Sequence, residues 1–212
     1  MEKYYTIYND VQTEIVEKKS KFIANIYKVE NIEQAEEKIK NIKKKYFDAK
    51  HHCIAYRIQE DNQIIEKSSD DGEPSGTAGA PMLTILQKNN LCNIVVIVTR
   101  YFGGILLGTG GLVRAYSDVT LNAIKESILV EKVEGTQIKL KIEYPNLELF
   151  KYYCKKNNIK IINIEYQEEI IIKIELEKGK KENFFKDIED KKIKNIEILE
   201  LENRYIERIV EK

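Results

Sequence analysis

Glycine and arginine are concentrated in one part of the chain, and their spacing there is typical of a phosphate-binding loop. Eight of the ten glycines lie between Gly72 and Gly111. Within this region, residues 100–114 read RYFGGILLGTGGLVR, after a predicted strand and before a predicted helix. Glycine permits close approach of the backbone to a ligand, and the free amides and dipole of a helix N-terminus attract anions. Arg100 and Arg114 would add charge-assisted hydrogen bonds, so we predict that this segment binds a phosphate group.

The same glycines also have a purely structural interpretation, in which they only turn the chain and let a helix and a sheet pack closely. Gly103-x4-Gly108-Thr109 follows the outline of the Walker A motif but lacks its lysine, and GxGxxG is absent. We therefore do not expect a nucleoside triphosphatase. Two glycine pairs and one further glycine exceed the needs of one turn, which favours the phosphate interpretation.

A second polar segment, SSDDGEPSGT at residues 68–77, offers carboxylates. Asp70, Asp71 and Glu73 would suit a hard cation such as Mg²⁺ through their oxygen atoms. The spacing is not that of an EF-hand, and the alternative is a turn whose carboxylates cap local amides. We favour the turn, and we predict no metal site and no cofactor. A bound Mg²⁺ is expected only under the enzymatic alternative given below.

The two histidines of the chain stand next to a cysteine, at His51-His52-Cys53. On a strand, His51 and Cys53 share one face and His52 points to the other, so one metal ion does not easily take all three. A nucleophilic Cys53 needs a lowered pKa, whereas a cysteine among apolar residues is more often inert and buried. We expect His51 to face the loops, and we predict no catalytic residue.

The elements that position these residues follow from the periodicity of apolar side chains. Asn31 is a predicted N-cap, with Gln34 as the partner of a capping box. Residues 68–81 and 101–111 are predicted loops, and residues 60–62 a turn. Strands are predicted at residues 11–16, 22–29, 51–58, 63–67 and 94–100, and helices at residues 32–46, 82–88 and from 112 to about 130.

The pattern restarts after residues 131–135, which we interpret as a linker between domains at residues 1–130 and 136–212. The second domain has the order β-α-β-β-α-β, which is the ferredoxin-like arrangement. It has no histidine and no glycine-rich loop, so we expect a binding or docking module there. Its strands are predicted at residues 138–144, 159–166, 170–177 and 193–201, and its helices at 145–154 and 180–190.

Charge and cysteine content limit the classes of function. Thirty-five basic residues balance 35 acidic ones, which argues against a protein that coats nucleic acid, although a local basic patch remains possible. No apolar run approaches the length of about 20 residues that a membrane span needs. Three widely spaced cysteines form no disulfide framework, and no signal peptide is evident. We expect a cytoplasmic protein without a membrane partner.

Three sequence blocks resemble the IMPACT/YigZ family, also called uncharacterised protein family 0029. They are DAKHHCIAYR at residues 48–57, SDDGEPSGTAGAPML at 69–83 and VTRYFGGILLGTGGLVRAYSD at 98–118. The resemblance implies an α+β fold, with an N-terminal domain that is ribosomal protein S5 domain 2-like. It also implies a C-terminal ferredoxin-like α/β sandwich, similar to an elongation-factor domain.

The resemblance implies a function linked to translation. Eukaryotic members bind a ribosome-associated activator, restrain a kinase that phosphorylates an initiation factor, and carry an additional RWD domain. We expect no RWD domain here, because the family blocks begin near the start of the chain, and we do not transfer the kinase-regulating role. For bacterial members the fold suggests association with nucleic acid or the ribosome, by analogy.

These observations give one leading hypothesis and two alternatives. The leading one is a non-enzymatic regulator linked to translation that binds RNA, ribosome or nucleotide phosphate, with RNA, the ribosome or a translation factor as partner. The alternatives are a Mg²⁺-dependent enzyme on a small phosphorylated metabolite and a protein-docking module. The predicted phosphate- or ligand-binding residues are His51, Arg57, Asp70, Asp71, Gly72, Glu73, Ser75, Gly76, Thr77, Arg100, Tyr101, Gly103, Gly104, Gly108, Thr109, Gly110, Gly111 and Arg114.

Overall fold

The computed structural model describes residues 3–60 and 63–210, and the chain forms two compact units. The first unit contains Tyr4–Glu131 and residues 209–210, and the second contains Lys3 and Lys132–Arg208. The division falls between residues 131 and 132, within the segment 131–135 that we interpreted as a linker. In the described residues, no helix is both long enough and apolar enough to cross a membrane.

The first unit is built on an antiparallel sheet. Its elements, in chain order, are β1 (Tyr4–Ile7), β2 (Val11–Glu17), β3 (Ser20–Lys28), α1 (Ile32–Lys45), β4 (His51–Glu60), β5 (Gln63–Ser69), α2 (Gly79–Lys88), β6 (Ile94–Tyr101) and α3 (Thr109–Glu126). The strands lie in the order β2-β3-β6-β4-β5, and all neighbours pair antiparallel. The predicted turn at residues 60–62 falls partly outside the described residues.

Both faces of this sheet are covered by helices, because its central strands are apolar on both sides. Helices α2 and α3 pack on one face, against side chains that include Phe22, Cys53 and Val98. Helix α1 packs on the other face, against Ile54 and Tyr56 among others. The predicted alternation along β3 and β4 is therefore confirmed.

The start of α1 is also as predicted. The amide of Gln34 donates to the Asn31 side-chain oxygen at 2.9 Å, and the amide of Glu30 donates to the Gln34 side-chain oxygen at 2.9 Å. The first bond confirms Asn31 as the N-cap, whereas the Gln34 side chain bonds the residue before the N-cap rather than the N-cap amide that a capping box requires.

Three predicted helix boundaries are wrong, and the predicted linker is not a loop. Helix α2 begins at Gly79 rather than residue 82, since Pro81 is tolerated in a first helical turn. Helix α3 begins at Thr109 rather than residue 112, and it ends at Glu126 rather than near residue 130. The predicted linker at residues 131–135 lies inside the strand β7 (Leu129–Ile142), in which a Cβ on Gly135 would lie 2.6 Å from the Leu176 carbonyl oxygen. This glycine permits close backbone packing.

The second unit has the predicted ferredoxin-like order. After β7 and a short 3₁₀ helix (Tyr144–Asn146) come α4 (Leu147–Lys156), β8 (Lys160–Tyr166), β9 (Ile170–Glu177), α5 (Lys178–Glu189) and β10 (Ile196–Ile209). The strands lie in the order β10-β7-β9-β8, and both helices contribute to one apolar core with β7 and β9. The fold is thus α+β in two domains. The last strand runs to Ile209 and begins later than the predicted residue 193.

Candidate functional site

The two predicted loops leave the sheet of the first unit at the same edge. His51 at the start of β4 pairs with Arg100 near the end of β6, and Tyr101 pairs with Lys21 at the start of β3. β5 ends at this edge too, because Ser69 pairs with Ile54 of β4. We call residues 70–78, between β5 and α2, the acidic loop, and residues 102–108, between β6 and α3, the glycine-rich loop.

A buried ion pair connects the acidic loop to the end of β6. The Arg100 guanidinium donates to the Glu73 carboxylate at 2.6 Å, with side chains 7% and 3% exposed. Tyr116 of α3 donates to the same oxygen at 2.9 Å. The guanidinium also lies over the rings of Phe22 and Phe102, 5.3 and 5.6 Å from their centroids. Arg100 and Glu73 therefore hold the two loops in place, and their charges are directed at each other rather than at solvent.

Cys53 is buried next to Tyr116 and the acidic loop, in surroundings that disfavour the nucleophilic thiolate. Its sulfur is 3.0 Å from the Asp70 carbonyl oxygen and 3.3 Å from the Tyr116 hydroxyl. Burial raises the pKa of the Cys53 thiol to about 12, and burial likewise raises the pKa of Tyr116. The thiol is therefore protonated at neutral pH, as the inert interpretation of Cys53 requires.

The carboxylates of the acidic loop bind amides of the chain itself. Asp70 accepts from the amides of Gly76, Ala78 and Gly79 at 2.8, 3.0 and 2.8 Å, and so caps the start of α2. Burial acts to raise the pKa of Asp70, but these three hydrogen bonds outweigh it and the pKa is lowered. This is the turn with capping carboxylates that we favoured over a cation site.

Asp71 is engaged in the same way. It accepts from the His52 amide at 2.7 Å and from the Lys43 ammonium at 3.1 Å, and these bonds lower its pKa against the opposing effect of burial. In the part of the chain that the structure describes, no three His, Cys, Asp or Glu side chains converge closely enough to hold a metal ion.

His51 faces the loops, as predicted, and His52 faces the opposite side of the sheet. His51 Nδ1 lies 2.8 Å from the Asp71 carbonyl oxygen, which only accepts, so Nδ1 carries the proton. Gly72 packs beside the ring with a φ of +88°, where a residue with a side chain is strained. His52 Nε2 lies 3.1 Å from the carbonyl oxygen of Tyr46, after α1.

Arg57 and Tyr101 were predicted to bind the ligand, but their side chains are directed away from the two loops, and this corrects the prediction. Arg57 lies six residues along β4 from His51, and it is buried, where it donates to Glu66 at 2.7 Å and to the Leu91 carbonyl at 2.9 Å. Tyr101 points to the face covered by α1 and donates to Asp48 at 2.7 Å. This hydrogen bond is the main cause that raises the pKa of Tyr101 to about 12.

The solvent-facing part of the site lies at the start of α3. Gly108 precedes this helix with a φ of +74° and provides no side-chain cap. The Leu112 amide is the first to bond back, to the Gly108 carbonyl at 3.0 Å. Within the described residues, the amides of Thr109, Gly110 and Gly111 therefore have no acceptor. Such amides and the helix dipole attract anions.

Two cations lie beside these amides. Arg114 bonds the Gly110 carbonyl through Nε at 3.3 Å and is otherwise exposed. Arg114, Lys18 and Gly111 line a surface cavity of about 310 Å³, which Glu17 and Asp118 also border.

The sequence reasoning missed Lys18 and Lys19. They form the turn between β2 and β3 with φ values of 45° and 65°, in a hairpin position that usually takes Asn-Gly. A Cβ on Gly103 would lie 2.0 Å from the Lys19 carbonyl carbon, so the glycine-rich loop rests directly on this lysine turn (Lys18–Lys19). No pattern of residue types signals a lysine turn.

The remaining predicted residues lie in the two loops. Thr77 is buried and its hydroxyl donates to the Pro74 carbonyl at 2.6 Å, whereas Ser75 and Gly76 are exposed. Gly104 has a φ of +83° and open space where a Cβ would stand.

Comparisons with known proteins match each of the two domains to a family model. A family model described as the Impact N-terminal domain matches residues 18–124, and one described as a domain of unknown function (DUF1949) matches residues 140–191. The IMPACT family member YvyE of Bacillus subtilis (strain 168) is 38% identical over 170 residues, 80% of this chain and 78% of that protein.

Two further relatives span almost the whole chain. The IMPACT family member YigZ of Escherichia coli (strain K12) is 35% identical over 87% of this chain and 91% of its own length. A crystal structure of a hypothetical protein is 33% identical and superposes with a TM-score of 0.61, over 95% of this chain and 98% of that one. With both domain models matched in order and relatives of this identity along its length, the chain belongs to the IMPACT family.

Proposed function

We propose that this chain is a non-enzymatic regulator linked to translation, and that its first domain binds phosphate groups of RNA at the start of α3. The observation that carries the proposal is the set of three amides, at Thr109, Gly110 and Gly111, that have no acceptor among the residues the structure describes. Glycine at two of these positions leaves the amides open to an approaching phosphate.

Charge at this place supports an anion rather than a neutral ligand. The N-terminus of a helix carries about half a positive charge. Arg114 and Lys18 add two full charges beside it, and among the described residues neither forms an ion pair, although Glu17 and Asp118 border the same cavity. Because the whole chain is neutral, the attraction acts only locally, which suits recognition of a few phosphates at one place on a larger RNA.

The reactive side chains near the site are already engaged in contacts within the chain, which supports binding without catalysis. Cys53 is protonated and buried. Asp70 and Asp71 are bonded to amides, and Glu73 is paired with Arg100. An enzyme that uses Mg²⁺ would need these carboxylates for the cation, and their release would break the cap of α2 and the ion pair.

Family membership supports the link to translation, so RNA, the ribosome or a translation factor is the proposed partner and the cytoplasm the proposed location. We assign RNA contact to the first domain, since the second lacks a platform for bases. Ferredoxin-like RNA-binding domains stack bases on aromatic residues of the central strands. Here those strands present Lys139, Lys141 and Lys173, of which the first two pair with glutamates.

The test is a titration of the purified chain against ribosomes and a structured RNA over a range of salt concentrations. The variant is Lys18→Ala/Arg114→Ala, and the matched control is Lys155→Ala/Lys156→Ala on the exposed end of α4. Loss of two phosphate contacts should reduce the slope of log K against log salt by about 1.4–1.8, and the control should keep the slope of the wild type. Equal slopes for wild type and the Lys18/Arg114 variant would refute the site.

A further inference from the structure

Phe102 is a large apolar side chain in the glycine-rich loop, one residue before the glycine that rests on the lysine turn. The residue is 53% exposed, although it follows a strand that is buried along most of its length. Ile105 and Leu106 of the same loop are exposed as well. Apolar side chains that cluster in one exposed loop mark an interaction surface more often than scattered ones do.

The ring is held rigidly, with one face turned inward. Its inner face lies on the Arg100 guanidinium, 5.6 Å from centroid to central carbon, and Arg100 is fixed by Glu73. Gly103, the next residue, lies so close to the Lys19 backbone that no Cβ fits. Contact area presented by a rigid aromatic ring is gained at little cost in conformational entropy.

From this placement, and resting on the phosphate-binding function proposed above, we propose that Phe102 stacks an unpaired RNA base whose phosphate is held at the start of α3. Lys18 and Lys19 are the neighbours that favour RNA over an apolar segment of a protein. They form no ion pair in the described part of the chain. The Lys19 backbone borders the glycine-rich loop, and Lys18 borders the cavity that Arg114 lines.

An aromatic ring next to unpaired cations matches the way in which single strands are bound, with bases stacked on aromatic rings and the backbone on positive charge. The bases of an A-form duplex are already stacked on each other and are out of reach. The site therefore selects loops, bulges or single strands.

The experiment compares an unstructured pyrimidine-rich RNA with a blunt RNA duplex, both titrated with the full chain. Wild type should bind the unpaired RNA more tightly. Phe102→Ala should weaken that binding by about 5-fold or more, the lower end of the effect of one stacked base, without a change in the salt slope or in duplex binding. Phe102→Tyr should bind like wild type.

Two further variants separate stacking from a structural role and from protein docking. Phe102→Leu keeps an apolar cover over Arg100, so it should keep the melting temperature and still lose the preference for unpaired RNA. Leu106→Ser changes the most exposed apolar residue of the loop and should leave RNA binding unchanged.

The outcomes separate this proposal from the proposed function. No RNA binding by wild type refutes both. RNA binding with a normal salt slope but no effect of Phe102→Ala refutes stacking alone. If Leu106→Ser weakens RNA binding as much as Phe102→Ala does, or if both variants abolish self-association of the chain, the loop is an apolar docking surface and stacking is refuted.

Discussion

The Arg100–Glu73 ion pair is the contact whose loss should change the first domain most. Glu73→Gln removes the negative charge and keeps the shape of the side chain, so that Arg100 remains buried without its counter-charge. Both side chains are at least nine-tenths buried, and removal of one partner of a buried pair costs about 3–5 kcal/mol. Domains are stable by only about 5–15 kcal/mol, so the variant should fold but unfold at a much lower urea concentration.

The measurement is urea denaturation followed by circular dichroism, since the chain has no tryptophan. The cycle contains Glu73→Gln, Arg100→Met and the double variant. Because the two side chains share one contact, their effects should be non-additive, with a coupling of about 1–3 kcal/mol. Hydrogen exchange of peptides that cover the acidic and glycine-rich loops should assign the loss to the first domain, because both loops depend on this pair.

A surface pair of similar length provides the control. Lys67 donates to Glu36 at 2.8 Å with both side chains about half exposed, and such pairs contribute about 0–1 kcal/mol. Lys67→Gln should therefore change the urea midpoint little. The reasoning is wrong if Glu73→Gln is no more destabilising than Lys67→Gln, or if the cycle shows additive effects.

Other contacts give predictions of known sign. Asp70→Ala should destabilise the chain by about 1–2 kcal/mol at neutral pH, as loss of a helix cap does. Since the pKa of Asp70 is lowered by folding, its contribution is complete above about pH 4 and decreases as the pH falls, so the stabilities of wild type and variant, measured by urea at each pH, should converge in acid. Gly103→Ala should lower the melting temperature by several degrees, because a Cβ there would meet the Lys19 backbone. Gly110 has open space and an ordinary φ, so Gly110→Ala should leave the free energy of unfolding unchanged or raise it by up to about 1 kcal/mol. A thiol reagent should label no cysteine of the native chain at pH 8 and all of them after unfolding, because burial raises the pKa of each one, Cys53, Cys92 and Cys154.

Local patterns were sufficient for most of the fold. The alternation along β3 and β4 and the cap at Asn31 depend on neighbours within a few residues, which a sequence displays directly. The strand β7 was missed at its start because Gly135 resembles a linker residue. Its role, close packing against the Leu176 carbonyl 41 residues later, depends on a contact that only the folded chain brings together.

The candidate site was predicted in part, for the same physical reason. The sequence shows which residues could bind a phosphate, but it does not show which of them are already paired. Arg57 and Arg100 form ion pairs with Glu66 and Glu73, through strand pairing and loop packing that no spacing rule encodes. Arg114 is left exposed because α3 turns it away from the core stripe of Leu112 and Tyr116, and this helical position could be read from the sequence.

The lysines show why composition alone misleads in a neutral, lysine-rich chain. A lysine that the structure places in an ion pair, such as Lys67 or Lys141, is balanced by its acidic partner and adds little net attraction for an anion. Lys18 and Lys19 differ in backbone conformation rather than in chemistry, since a turn with positive φ holds the Lys19 backbone against Gly103 and Lys18 at the cavity that Arg114 lines. A phosphate site in such a protein is defined by where the backbone holds an unpaired cation next to free amides, and this is why substitution of Lys18, rather than of lysines in general, is the informative test.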